Sequence, residues 1–275
     1  MDLLRLQQLL DDRKFAELMN ELKDMQEADV AEFINDLDHK TALLVFRLLP
    51  KDMAADVFSY LPSQKQSDIS MLVNEKELNT LLDDLYFDDK IDLIEEMPAY
   101  VVKRILKNST ETERGLINHF LNYPENSAGS LMTIEFVDLK KHMLVKDALD
   151  KIRKTAQDKE TIYTCYVIDA QRKLEGIVSL RDLVLASPDN RIDQIMQIDP
   201  IFVSTYDDQE DIADIFKKYD FLAVPVVDQE QRLVGIITVD DIVDVIEQEN
   251  TEDFHRMAAI QPSDEGYLDA SVFQL

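Results

Sequence analysis

The sequence predicts a multidomain α plus α/β protein: an N-terminal superhelical array of short α-helices, a tandem pair of small α/β modules, and a C-terminal helix leaving the second module. Three observations carry this. Glycine is scarce, with 5 in 275 residues and no tryptophan, where about 7% glycine is ordinary, so much of the chain is expected to be helical. The first 125 or so residues set apolar side chains three and four apart between prolines. The remainder carries one nine-residue pattern twice, 59 residues apart.

In the first part, Phe15, Leu18, Met19, Leu22 and Met25 recur at helical spacing. Val30, Phe33, Ile34 and Leu37 follow, then Leu43, Leu44, Phe46, Leu48 and Leu49. Leu49-Pro50, Leu61-Pro62 and Met97-Pro98 each end one helical stretch and open the next. Proline disfavours a helical residue before it yet suits a first turn. Helices of about two to three turns are not stable alone, so these are expected to stack and cover one another's apolar faces. The run from Tyr123 to Gly129 reads as the loop that closes this part.

Beyond Leu131 the pattern becomes α/β. Strands are expected from Ile134 to Leu139, Tyr163 to Ile168 and Gly176 to Ser179, with helices from Val145 to Lys154 and Leu180 to Ala186. The same order then returns: a strand from Ile201 to Ser204, a helix from Gln209 to Lys218, strands from Ala223 to Val227 and Leu233 to Thr238, and a helix from Val239. Leu174-Glu175-Gly176-Ile177-Val178-Ser179-Leu180-Arg181-Asp182 matches Leu233-Val234-Gly235-Ile236-Ile237-Thr238-Val239-Asp240-Asp241. A period near 60 fits two copies of a small α/β module and predicts a pseudo-symmetric cleft.

The charge narrows the function. With 29 Lys and Arg against 56 Asp and Glu, the net charge is −27, which repels nucleic acid and anionic lipid and favours cations or basic partners. The five glycines lie too far apart for a phosphate loop, and the lone Cys165 excludes intrachain disulfides and paired-cysteine zinc sites. There is no signal-peptide layout and no apolar run of about 18 residues, so a cytoplasmic chain is expected. Cys165 sits in a hydrophobic strand and reads as a buried, inert thiol. No nucleophile, base and oxyanion constellation is evident, and no enzymatic activity is expected.

The acids are clustered. Asp240, Asp241, Asp244, Glu247, Glu249, Glu252 and Asp253 fall within fourteen residues that hold no Lys or Arg. Asp83, Asp84, Asp88, Asp89, Asp92, Glu95 and Glu96 form a second group, and Asp207, Asp208, Glu210, Asp211, Asp214 and Asp220 a third. Such runs are ordinarily solvated faces. They are also oxygen donors of the kind Mg²⁺ takes, one or two per ion with water completing the shell.

The two signatures, each after a hydrophobic strand ending in Asp, resemble tandem CBS domains. With the preceding helical array, the Ser127-Ala128-Gly129-Ser130-Leu131-Met132-Thr133 junction and the Thr251-Glu252-Asp253-Phe254-His255 segment, nearly the whole chain resembles the cytosolic region of the MgtE magnesium transporter and channel family. The resemblance implies a helical domain over 1–128, CBS domains over 129–190 and 191–247, and a connecting helix over 248–275. That helix would lead to a transmembrane pore domain at the cytoplasmic face of the membrane, with the chain a homodimer through its CBS domains.

The same resemblance assigns regulatory Mg²⁺ ligands to Asp56, Asp88 and Asp92 in the helical domain. It assigns others to Asp208, Glu210, Asp220, Asp241 and Asp244 around the second CBS domain, and to Glu249, Glu252 and Asp253 on the connecting helix. It also implies an ATP cleft. There Ser179 and Thr238 would meet phosphate or ribose, Asp182 and Asp241 would accept from ribose, Arg181 would face phosphate and Phe221 would stack on adenine. Thr164 departs from the pattern, standing where nucleotide-binding relatives carry an aromatic. Read without the family, the Ser, Thr and Asp residues simply cap helices.

The expected function is therefore a Mg²⁺ sensor. Ions bridging the acidic surfaces of the helical domain, CBS pair and connecting helix would favour a closed pore. The alternatives are a CBS module sensing adenosine nucleotides for another transporter or enzyme, and a scaffold whose helical array docks a protein.

Overall fold

Among the described residues, ten helices of eight to ten residues build the first part of the chain: α1 (Leu3–Asp11), α2 (Phe15–Lys23), α3 (Glu27–Asn35), α4 (His39–Phe46), α5 (Lys51–Ser59), α6 (Ser63–Leu72), α7 (Glu75–Asp84), α8 (Phe87–Glu95), α9 (Ala99–Asn108) and α10 (Glu111–Phe120). The structure, a computed structural model, describes residues 3–95 and 97–257. The chain divides between Asn122 and Tyr123 into two compact units.

Local chemistry explains where these helices start. Asp38 caps α4 by accepting from the backbone N–H of Lys40 and Thr41, and Asn74 with Glu77 forms a reciprocal capping box on α7. Pro50, Pro62 and Pro98 occupy the N-cap positions of α5, α6 and α9, one residue outside the first turn, with extended ψ of 150°, 144° and 139°. Proline thus turns the chain into each helix from just outside it.

Packing holds them. In the ladder, α3 lies on α5, α4 on α6, α5 on α7 and α6 on α8. Leu18, Leu22, Val30, Ile34, Val45, Val57, Phe58 and Ile91 are wholly buried between the layers. Each such large side chain contributes about 1.5–3 kcal/mol, which offsets the weakness of helices this short.

The second unit opens with one helical turn, α11 (Ala128–Leu131). Then come β1 (Val137–Leu139), α12 (Val145–Thr155), β2 (Thr164–Ile168), β3 (Leu174–Ser179), α13 (Leu180–Leu185) and β4 (Gln197–Ile198). The second repeat supplies β5 (Val203–Ser204), α14 (Gln209–Tyr219), β6 (Ala223–Val227), β7 (Leu233–Thr238) and α15 (Val239–Met257). One sheet has the order β1-β2-β3-β4 and the other β5-β6-β7, each with a parallel first pair and an antiparallel hairpin.

Two expected strands are shorter than the sequence suggests, and the reason is an exchange between the repeats. Thr133, in the lead-in to the first repeat, pairs with Ile236 of the second through N–H to O distances of 2.8 and 3.0 Å. The lead-in to the second repeat, β4, pairs with β3 of the first. After each crossing the chain must return to its own sheet, so 134–136 and 201–202 are spent on the return and pairing begins at Val137 and Val203.

This exchange also explains the repeated glycines. A Cβ on Gly176 would lie 2.6 Å from the carbonyl oxygen of Gln197, and one on Gly235 would lie 2.7 Å from that of Thr133. The repeats share a core of Phe136, Tyr166, Ile168, Ala223, Leu233 and Ile236. Their hairpin tips are joined where Leu233 N–H donates to Arg172 O at 2.9 Å.

Candidate cation and nucleotide sites

The two signature segments end in equivalent clusters. In the first repeat, Ser179 Oγ donates to Asp182 Oδ2 at 2.6 Å and accepts from Asp182 N–H at 3.0 Å, capping α13. In the second, Thr238 Oγ1 donates to Asp241 Oδ2 at 2.8 Å. The capping role expected from the sequence is realised by Ser179, and both hydroxyl protons are already directed to carboxylates. Thr164 lies beside Ser179 in the β2–β3 pairing, and Arg181 is exposed in the first turn of α13. Phe221 is half-buried and stacked on Tyr219, with ring centroids 5.4 Å apart at 21°. These residues therefore fall into two groups, one at the signature of each repeat.

The acids of the second repeat decorate two packed helices. Asp208 is the N-cap of α14 and accepts from Glu210 N–H at 2.9 Å, while Asp220 ends the same helix in the left-handed region at φ 53°. At 1.5 Å rise per residue they stand about 18 Å apart and serve different neighbourhoods. On α15, Ile242 and Val245 face the core while Asp240, Asp244 and Glu247 are exposed. The Asp244 carboxyl is raised above the ordinary aspartate value, first by partial burial and then by the Glu247 and Asp240 carboxylates. A cation beside this row would relieve that repulsion. Asp241 is half-buried, as is Glu249, which accepts from Gln209 Nε2 at 2.7 Å. Glu252 and Asp253 lie on the last turns of α15, and their side chains are outside the described residues.

In the helical unit, Asp88 sits in the first turn of α8, 7% exposed, with Oδ1 accepting from Asp89 N–H at 2.9 Å. Asp92, one turn on, is exposed, as is Asp56 on α5. Among the described residues, no three carboxylate, imidazole or thiol groups come together as a metal-binding group. The donor chemistry suits an ion that keeps most of its water and takes single carboxylates, which is the habit of Mg²⁺.

The charge is unevenly placed. Residues 129–190 hold ten Lys or Arg and ten Asp or Glu, whereas 191–247 hold four and fourteen. Two residues were not singled out from the sequence. Gln209 occupies the first position of the buried stripe Gln209, Ile212, Ala213 and Phe216, and a polar residue at that spacing was the available signal. Lys90 is 9% exposed and pairs with Glu113 at 3.4 Å beside a small polar cavity of about 110 Å³ in the helical unit.

Residues 25–126 match the MgtE intracellular N domain, and residues 128–189 and 192–248 match the CBS domain. The crystal structure of the cytosolic domain of the Mg²⁺ channel MgtE in complex with ATP is 36% identical, with a TM-score of 0.83 over 88% of this chain and 99% of that one. The chain belongs to the MgtE family. The crystal structure of the soluble part of a magnesium transporter agrees, at 32% identity and a TM-score of 0.82 over 90% of this chain and 97% of that one. The magnesium transporter MgtE of Thermus thermophilus is 37% identical over 98% of this chain, and that of Bacillus subtilis 32% over 94%. The chain spans 61% and 57% of the length of those two proteins. Among the described residues, no helix is long and apolar enough to cross a membrane.

Proposed function

We propose that this chain is the Mg²⁺-sensing regulatory region of an MgtE-type magnesium transporter, with a regulatory rather than an enzymatic role. It would work at the cytoplasmic face of the membrane, with α15 leading toward a pore domain. The observation that carries this is the row Asp240, Asp244 and Glu247 on one side of α15, with no Lys or Arg from 240 to 253 to balance it, which leaves a deficit of positive charge that a divalent ion fills; Asp244 is raised there first by partial burial and then by its two neighbouring carboxylates. The ligands would be Asp56, Asp88 and Asp92 on the helical unit, Asp208, Glu210, Asp220, Asp241 and Asp244 on the second repeat, and Glu249, Glu252 and Asp253 on the outgoing helix. Ions gathered by these acids would draw the helical domain, CBS pair and outgoing helix together and favour a closed pore. Only preferential binding to the compact state drives such a shift, and several weak sites formed together make it steep.

A homodimer through the CBS pair fits the apolar side chains left exposed on it. Val184 and Leu185 of α13, with Tyr163, are 64–74% exposed, and Leu222, Val239 and Val243 beside α15 are 37–58% exposed. Tyr163 and Val184 correspond to Leu222 and Val243 at the 59-residue offset, and a two-fold contact would set this apolar patch against the same patch of a second copy.

Small-angle scattering of the chain tests the reading. Millimolar Mg²⁺ at fixed ionic strength is expected to reduce the radius of gyration, and joint replacement of Asp241, Asp244 and Glu249 by Ala to blunt the change. An unchanged radius in the native chain refutes it.

The second reading, nucleotide sensing, draws on the relative crystallised with ATP. Here the ligand would meet Ser179, Arg181 and Asp182 from one repeat and Phe221 and Thr238 from the other. Calorimetry with ATP and AMP, with and without Mg²⁺, separates the two. Nucleotide binding that moves the domains, with no response to Mg²⁺ alone, favours the second.

A further inference from the structure

The contacts of the second repeat converge on Gln209, which is 3% exposed at the start of α14. Its backbone N–H donates to Asn126 O at 2.9 Å, and its carboxamide donates to Glu249 Oε1 at 2.7 Å. Beside it, Ala128 N–H donates to Asp207 O at 2.8 Å, Gly129 N–H donates to Thr205 O at 2.9 Å, and Ser127 forms a bridge with Asp208. The segment by which the chain enters this unit is thereby fastened to the β5–α14 turn. At the other end, Glu247, Gln248, Asn250 and Thr251 of α15 are exposed, and Glu249 alone in that stretch is half-buried.

We propose that Gln209 is the positioning residue that sets where the outgoing helix leaves the second repeat. Its backbone holds the incoming segment and its side chain holds the outgoing helix, so a displacement at 126–129 reaches Glu249 through a single residue. Gln reaches this far without adding charge, and Glu in its place would set two carboxylates against each other. With Oε1 engaged, Glu249 keeps Oε2 for a cation, as a one-oxygen ligand whose orientation is already set. Such neighbours typically improve metal affinity about 10–100-fold. This last consequence rests on the cation-sensing reading; the positioning role does not.

Hydrogen exchange of the 275-residue chain in EDTA tests the positioning role. Gln209→Met keeps the bulk and removes the donor, and Glu249→Ala breaks the same bond from the solvent side. Both are expected to speed exchange at 246–251 by about tenfold, the loss of one hydrogen bond to a charged group. Glu249→Gln, which keeps an acceptor, is expected to retain slow exchange. Exchange at 126–130 should stay native in all three, since its bonds run through backbone. Native protection of 246–251 in both Gln209→Met and Glu249→Ala overturns the proposal, as does a Glu249→Gln chain that exchanges as fast as Glu249→Ala. If Gln209→Met loosens the helix in a chain whose radius ignores Mg²⁺, sensing falls and positioning stands. If the native chain compacts while Gln209→Met exchanges normally, the reverse holds.

Discussion

Adding one methyl group to a glycine is expected to act in opposite directions at two positions. At Gly235 an added Cβ would lie 2.7 Å from Thr133 O and 2.7 Å from Met132 Sδ. An ordinary carbon–oxygen contact needs about 0.5 Å more, and the oxygen belongs to a backbone that exchanges two hydrogen bonds with Ile236. Relief therefore means moving the crossed lead-in segment, and overpacking of this kind costs about 1–3 kcal/mol. At Gly115, inside α10, nothing lies within 4 Å of the added atom, so alanine recovers about 0.5–1 kcal/mol of helix propensity. Urea unfolding followed separately in the two units is the assay, because two units need not unfold as one. With a slope of about 2 kcal/mol per molar urea, Gly235→Ala should lower the midpoint of the second unit by about 1 M. Gly115→Ala should raise that of the first by a few tenths. A native midpoint for Gly235→Ala would refute the reasoning that the repeat glycines exist to let the other repeat's lead-in pass.

Three further outcomes follow from buried or crowded groups. Tyr166 is wholly buried with its hydroxyl lacking a hydrogen-bond partner, so Tyr166→Phe should raise stability by about 1 kcal/mol in urea unfolding. Because the Asp244 carboxyl is raised in the folded chain, its ionisation penalises folding; full stability is present below the ordinary value of 3.8 and is lost as pH rises through the raised one. Asp244→Asn should accordingly match the native chain near pH 3 and exceed it near pH 7 in thermal unfolding. Burial pushes the Cys165 thiol up to about 12, and a thiol reagent at neutral pH should label it only when the second unit unfolds.

Much of the architecture is legible in short stretches of sequence. The spacing of Leu18, Leu22, Val30 and Ile34 marks helical faces that are wholly buried in the structure, since a helix brings residues three and four apart to one side. The hairpin of β6 and β7 spans the residues expected from two short apolar runs and the polar turn between them. Around Ile134 and Ile201 the same reasoning overextends the strands, because apolar content reports burial and not which sheet provides the partner. The candidate acids and the Ser179 and Thr238 clusters were visible as residue types, and the structure adds that both hydroxyls are engaged by Asp182 and Asp241. Gln209 was not found, because its partner lies 40 residues away on another helix.

By itself the sequence determined the helical segments, the position of most strands, that the second half is a repeat, and that the chain carries a large negative charge. These properties depend on periodicity, capping and composition, all local in the chain. Tertiary structure decided that the lead-in segment of each repeat pairs with the other repeat, why Gly176 and Gly235 must be glycine, and that one buried Gln ties the incoming segment to the outgoing helix. Each of these depends on which distant backbone or side chain arrives at a given point, and hydrogen bonds and excluded volume act over a few ångströms in space regardless of separation in sequence.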